Sequence, residues 1–278
     1  MFEHFQSLQK KVRIGDIEIN LVDGGGTGPA VLFLHGFPDG WELWRHQMQT
    51  LAAAGFRVVA FDQRGFGDSD RPQEVEAYLM QTLVGDAIGV LDHLGIEKAH
   101  VVCHDWGANV GWALASSHPE RVDRFVPISS GHPKFNRTIE GNEKSWYVFF
   151  FQFAGVAEEA IARNNFSLFR QLVRNHPETS RWIADLARPG ALTSAMNWYR
   201  ANYSPANGFA LPMDVGSVKG PALGIFGKDD VLLQEIRMIG SDKWVENGWQ
   251  YERVDGAGHW VPLDRPDHVN WLILEFLK

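Results

Sequence analysis

The chain has 278 residues, 45% hydrophobic and 22% charged, with a formal net charge of -8. That length and balance fit one large α/β-type domain with room for an inserted subdomain, and the acidic surplus gives no electrostatic support for binding nucleic acid or an anionic membrane. Cys103 is the only cysteine, which excludes an internal disulfide and fits a reducing compartment.

From Met1 to Val12 the chain is polar, without the apolar core of a secretory leader. Its longest apolar stretch, Trp146–Phe151, falls far short of the roughly 20 residues that span a bilayer. The expectation is a soluble, cytoplasmic protein. Lys11 to Val22, interrupted at Gly15-Asp16, alternates with period two and predicts an opening antiparallel hairpin. Strand-length apolar runs follow at Ala30–Leu34, Arg57–Phe61, His100–Cys103, Arg124–Ile128, Ala222–Phe226 and Tyr251–Val254. Helical patterns separate them at Leu43–Ala53, Gln81–Leu94, Gly107–Ser117, Val231–Glu246 and His268–Leu277. This alternation predicts an α/β fold with a mostly parallel central sheet flanked by helices.

The alternation lapses once. Between Ile128 and Ala222 the pattern is helical and strand-free, far longer than a βα loop of about two to six residues. It predicts a helical cap over 132–212, inserted into a core formed by 1–131 and 213–278. Clefts of open α/β sheets lie at the C-terminal ends of their strands, so a cap there would bury a site. The 11 Trp and 18 Phe point to large apolar surfaces around such a pocket.

Cys103-His104-Asp105-Trp106-Gly107-Ala108 follows a strand and opens a helix. Small residues two positions either side of Asp105 give the spacing of a nucleophile elbow, with Asp where many hydrolases carry Ser. The helix N-terminus would help keep Asp105 ionised. By itself the motif fits equally an Asp that merely caps the helix.

His35-Gly36-Phe37-Pro38 lies after the third strand, where the backbone N–H of Phe37 would pair with that of Trp106 as an oxyanion hole. Asp62-Gln63-Arg64-Gly65-Phe66-Gly67-Asp68-Ser69 reads as a structural loop beside the site. Gly227-Lys228-Asp229-Asp230 ends a later strand and supplies an acid, while Gly256-Ala257-Gly258-His259-Trp260 supplies a histidine. Nucleophile, acid and histidine then stand in the chain order of α/β-hydrolases. No zinc spacing such as H-E-x-x-H is present, and Gly24-Gly25-Gly26 precedes no helix, so metal and dinucleotide readings are weaker.

With these residues in place, the sequence resembles the soluble epoxide hydrolases of the α/β-hydrolase superfamily over nearly its whole length. The matching stretches are residues 35–47, 62–70, 103–108 and 257–260, most of them shared with haloalkane dehalogenases. The resemblance extends into the cap. It implies that Tyr147, in Trp146-Tyr147, and Tyr199, in Asn197-Trp198-Tyr199-Arg200, bind the epoxide oxygen, although Tyr147 also fits cap core and Tyr203 is a near neighbour of Tyr199. It selects Asp230 over Asp229 as the acid partner of His259. The implied reaction needs no cofactor and no metal: Asp105 attacks an epoxide carbon, and water activated by His259 cleaves the resulting ester. The implied partner is a small apolar epoxide, with no nucleic acid or membrane, and the protein a monomer or homodimer. A haloalkane dehalogenase using the same Asp105 is the alternative, and a ligand-binding receptor on the same fold is a more distant one.

Overall fold

Two antiparallel strands, β1 (Gln9–Ile14) and β2 (Ile17–Asp23), form the expected hairpin, turning at Gly15 with φ 56°. A short helix α1 (Phe2–Ser7), not foreseen in the polar N-terminal stretch, precedes them and places Phe5 in the core. The computed structural model describes residues 2–134, 138–205 and 214–278.

Strands β3 (Ala30–Leu34), β4 (Arg57–Phe61), β5 (Ala99–His104), β6 (Val122–Ile128), β7 (Ala222–Gly227) and β8 (Trp249–Val254) complete an eight-stranded sheet in the order β1-β2-β4-β3-β5-β6-β7-β8. Everything from β4 to β8 pairs in parallel. Every residue of β3 and β5 is buried, which is why these strands read as continuous apolar runs rather than alternating ones. Helices α2 (Arg45–Ala53), α3 (Met80–His93) and α4 (Trp106–Ser117) follow β3, β4 and β5 as crossovers.

Helices α5 (Ile139–Lys144), α6 (Trp146–Phe150), α7 (Val156–Leu172), α8 (Thr179–Leu186) and α9 (Ala191–Asn202) fall between β6 and β7, and no strand occurs among the described residues of 132–212. The expected C-terminal boundary of this insertion, at 212 and 213, lies outside the described residues. Helix α7 is broken at Arg163–Phe166, where Asn164, Asn165 and Phe166 take left-handed φ values. The insertion docks on loops that leave the C-terminal ends of β3 and β4. Trp182 Nε1 donates to Asp39 Oδ1 at 2.7 Å, and Trp198 Nε1 to the Arg64 carbonyl at 3.0 Å. Asn202 accepts the Met80 N–H at 2.9 Å and donates to the Tyr78 carbonyl at 2.7 Å.

After β7 the sequence pattern and the structure part. In place of one helix over Val231–Glu246 there is a turn, then α10 (Glu235–Ile239) and a 3₁₀ turn (Gly240–Trp244). The cause is a side-chain turn: Asp230 Oδ1 accepts the N–H groups of Leu232 (2.7 Å) and Leu233 (3.0 Å), holding both amides away from helix. Helices α11 (Val261–Asp264) and α12 (Pro266–Leu277) end the chain, α12 lying against α2. Among the described residues no helix is long and apolar enough to cross a membrane.

Candidate active site

Asp105 sits alone between the end of β5 and the start of α4, with φ 52° and ψ -116°. This conformation is costly for a residue with a side chain and persists only where the surroundings enforce it. Close approach of backbone does the enforcing. A Cβ on Gly107 would lie 2.1 Å from the Leu34 carbonyl oxygen, and one on Gly36 would lie 2.4 Å from Asp105 Oδ1. The Asp105 side chain does not cap α4. Instead Oδ1 accepts the Phe37 N–H at 2.9 Å, the Trp106 N–H also bonds the carboxylate, and Oδ2 lies 3.5 Å from His259 Nε2.

His259 follows the loop after β8. Its Nδ1 is 2.8 Å from Asp230 Oδ2, so the network assigns the Nδ1 proton to this bond. Asp230 is buried, and the Leu232 and Leu233 amides hold its other oxygen. Asp229 is exposed, its own N–H donating to the Ala257 carbonyl. The His259 backbone is fixed too: its carbonyl accepts Ser129 Oγ at 2.8 Å and meets His104 Nε2 at 2.9 Å.

These contacts set the charges. Burial disfavours the His259 imidazolium, but the carboxylates of Asp230 and Asp105 outweigh it and raise its pKa to about 10. Burial would likewise raise Asp105; the hydrogen bond and charge of His259, with the Trp106 N–H, hold it below the usual carboxylate value. His104, buried against His259 with ring centroids 4.8 Å apart, is pushed down to about 4 by burial and by the neighbouring cation. It stays neutral.

Tyr147 from α6 and Tyr199 from α9 face each other with ring centroids 5.9 Å apart. Both are buried and line one cavity with Phe37, Asp105 and His259. Burial and the Asp105 charge push both phenols well above their ordinary pKa, so they keep their protons; the Trp106 indole, a hydrogen-bonding neighbour of Tyr199, pulls the other way. Tyr203 does not line the cavity; its hydroxyl lies 3.3 Å from Asn109 Oδ1. Arg200 fixes the position of Tyr199 by donating to the Phe151 carbonyl at 2.8 Å and pairing with Glu158 at 2.8 Å.

All seven residues singled out in the sequence therefore meet here. The sequence reading missed four others on the cavity wall: Leu172, Val173, Leu232 and Trp260. Trp260 carried a signal in its adjacency to His259, whereas nothing in the sequence marks Leu172 or Leu232. His176, without context in the sequence, packs beside the site, stacked on Trp182 and 3.1 Å from Asp264. Among the described residues no cluster of His, Cys, Asp and Glu is arranged to hold a metal ion.

Comparison with known proteins gives the family. The family model for the alpha/beta hydrolase fold matches residues 29–266. A Bacillus subtilis protein of the α/β-hydrolase superfamily, YfhM, is 34% identical over 92% of this chain and 92% of its own. Human epoxide hydrolase 4 is 33% identical over 96% of this chain and 78% of its own length. Among solved structures, a Bacillus megaterium epoxide hydrolase in complex with an inhibitor superposes with a TM-score of 0.86 at 26% identity, covering 96% of this chain and 99% of that one. This chain belongs to the α/β-hydrolase fold family, in the branch that contains the epoxide hydrolases.

Proposed function

We propose that the protein adds water to an epoxide to give a vicinal diol, through an alkyl ester on Asp105. One observation carries the reading: the two oxygens of Asp105 have different surroundings. Oδ1 is held by the Phe37 N–H, while Oδ2 lies 3.5 Å from His259 Nε2, and the residue lines the cavity with the two phenols.

A carboxylate suits this reaction where a serine would not. Attack on an sp³ carbon by Ser leaves an ether, which water does not cleave, whereas a carboxylate leaves an ester with a carbonyl that water can attack. Oδ2 displaces the ring oxygen from carbon, and Tyr147 and Tyr199 donate to that oxygen as its charge develops. Their raised pKa values keep both phenols protonated for that task. In the second step His259 takes a proton from water, which attacks the ester carbonyl. The oxyanion then forms on Oδ1, which already accepts the Phe37 N–H, with the Trp106 N–H beside the same carboxyl. Asp230 orients the imidazole and stabilises its cation.

In this reading 132–212 acts as a cap that brings the two phenols to the core. Dehalogenation with the same nucleophile is not favoured, since Phe37 offers no side-chain donor for a halide and both the human relative and the Bacillus megaterium structure described above are epoxide hydrolases. Wild-type protein incubated with styrene oxide should yield its diol, and 1-bromobutane should yield no bromide. In a single turnover in heavy-oxygen water, the label should appear in the peptide containing Asp105. Label found solely in the diol would mean direct attack by water and would overturn the ester.

A further inference from the structure

The chain around His259 is held from two sides. On the core side, the His259 carbonyl accepts Ser129 Oγ at 2.8 Å and meets His104 Nε2 at 2.9 Å. On the other, the N–H of Gly258 donates to Asp264 Oδ2 at 2.7 Å. The second oxygen of the same carboxylate, Oδ1, lies 3.1 Å from Nε2 of His176, in the turn between α7 and α8 of the insertion. His176 Nδ1 accepts the Glu178 N–H at 3.2 Å, so the ring proton is assigned to Nε2 and the bond runs from histidine to carboxylate. One carboxylate therefore joins the insertion to the residue before His259.

A row of rings repeats the connection. His176 stacks on Trp182 with centroids 4.9 Å apart and planes 23° from parallel, and Trp182 lies 4.5 Å from Trp260. Trp260 meets His176 at 5.2 Å and His259 edge-on at 5.0 Å and 88°. Trp260 is buried and lines the cavity. In a close-packed interior, a shift at His176 is passed through it to the imidazole. The reaction proposed above demands that precision in one step only. Water attacking the ester on Asp105 has to hydrogen-bond His259 Nε2, at about 2.6–3.2 Å. Ring opening makes no such demand, because it uses the carboxylate of Asp105 and the phenols of α6 and α9.

We propose that His176 and Asp264 are positioning residues for ester hydrolysis: through the Gly258 amide and the Trp260 ring they hold the His259 imidazole where it can activate water. The insertion then serves both steps, ring opening through Tyr147 and Tyr199 and hydrolysis through His176. The inference rests on the ester reading above and adds a control on its second step.

Three variants separate positioning from simple attachment of the insertion. His176→Phe keeps an aromatic ring against Trp182 and Trp260 but has no N–H for Asp264. His176→Gln loses the ring and keeps an N–H donor of similar reach. Asp264→Ala removes the carboxylate itself. Each is mixed with styrene oxide and quenched in acid at intervals, and the esterified fraction of the enzyme is read by intact mass beside the diol released. In His176→Phe and Asp264→Ala, ester hydrolysis should slow about ten- to a hundredfold while ester formation stays within about twofold of wild type, the scale of misplacing a catalytic group by about 1 Å. The ester should therefore accumulate, and His176→Gln should hydrolyse it faster than His176→Phe does. Slower ester formation without accumulation would mean that His176 merely attaches the insertion and its phenols, and overturns the inference. Hydrolysis at the wild-type rate in both His176→Phe and Asp264→Ala overturns it too. A folded His259→Gln protein that forms no adduct is a separate failure, which removes the ester and this inference with it.

Discussion

In the reaction proposed above, alkylation of Asp105 erases one of the two anions that face His259. In the free protein those anions hold the imidazole at about 10, too strongly protonated to act as a base near neutral pH. The ester removes the Asp105 charge, so the His259 pKa falls when a base is required. Asp105→Asn mimics that loss of charge. NMR titration of the imidazole should give a lower pKa in this variant than in the wild type, and an unshifted value would discount the coupling. The variant should also be inactive when fresh, because an amide oxygen is a far weaker nucleophile. His259→Gln separates the two steps: the ionised carboxylate needs no base, so the variant should react once and stall. Intact-mass measurement should show an adduct of one substrate mass on the peptide containing Asp105. Asp230→Asn should stall more mildly, and exposed Asp229→Asn should not stall. If folded His259→Gln protein never forms the adduct, the covalent mechanism fails. Replacing Tyr147 and Tyr199 together by Phe should slow ring opening on the order of a hundred- to a thousandfold, with smaller losses for either alone. Near-normal epoxide turnover by the double variant would reassign the proton donors.

At the scale of elements, the helices that carry the phenols are attached to the loops that carry the rest of the site. Asp39, two residues after Phe37, is buried and accepts both Trp182 Nε1 at 2.7 Å and Arg181 at 2.6 Å. Asp39→Ala leaves the buried Trp182 indole N–H without its acceptor, while Arg181 keeps Glu178 and Glu42, a loss of about 1–3 kcal/mol for one unsatisfied buried donor. Thermal unfolding should show a lower Tm, and a Tm within a degree of wild type would show that α8 is held by its apolar contacts instead. The segment before Tyr147 is pinned to the acid loop. Ser145 Oγ donates to the Leu232 carbonyl at 3.2 Å, and Lys144 Nζ lies 3.3 Å from the Asp230 carbonyl. Strands β3 and β4 and helix α4 were legible because their apolar runs and the Asp105 turn are encoded within a few residues. The helix expected over Val231–Glu246 was not, because its first amides bond a carboxylate whose position is fixed by His259, nearly thirty residues away in sequence.

Across the whole molecule, buried histidines fix how stability responds to pH. His104 and His132 are both held near 4, below their unfolded value, mainly by burial. Above about pH 6.5 they are neutral in both states and contribute nothing; as pH falls towards 4 the unfolded chain gains protons that the folded one refuses, costing up to about 3 kcal/mol each. His259 has the opposite sign. Its raised pKa stabilises the fold fully below about 6.5, and that contribution is lost as pH rises towards 10. Denaturant midpoints should therefore peak close to neutral pH and decline on both sides; midpoints still rising at pH 5 would contradict the buried, neutral state of His104 and His132. By itself the sequence determined the layered α/β fold, the helices between β6 and β7, the elbow at Asp105 and the chain order of the acid and the histidine. Each of these is written in local periodicity or in short-range sterics, where a small residue is needed two positions from a strained turn. Tertiary structure alone decided which oxygen of Asp105 bonds the Phe37 N–H and which meets His259, that α10 starts only at Glu235, and that Leu172 and Leu232 join the cavity wall. Those outcomes depend on segments brought together from distant parts of the chain, and no local pattern carries them.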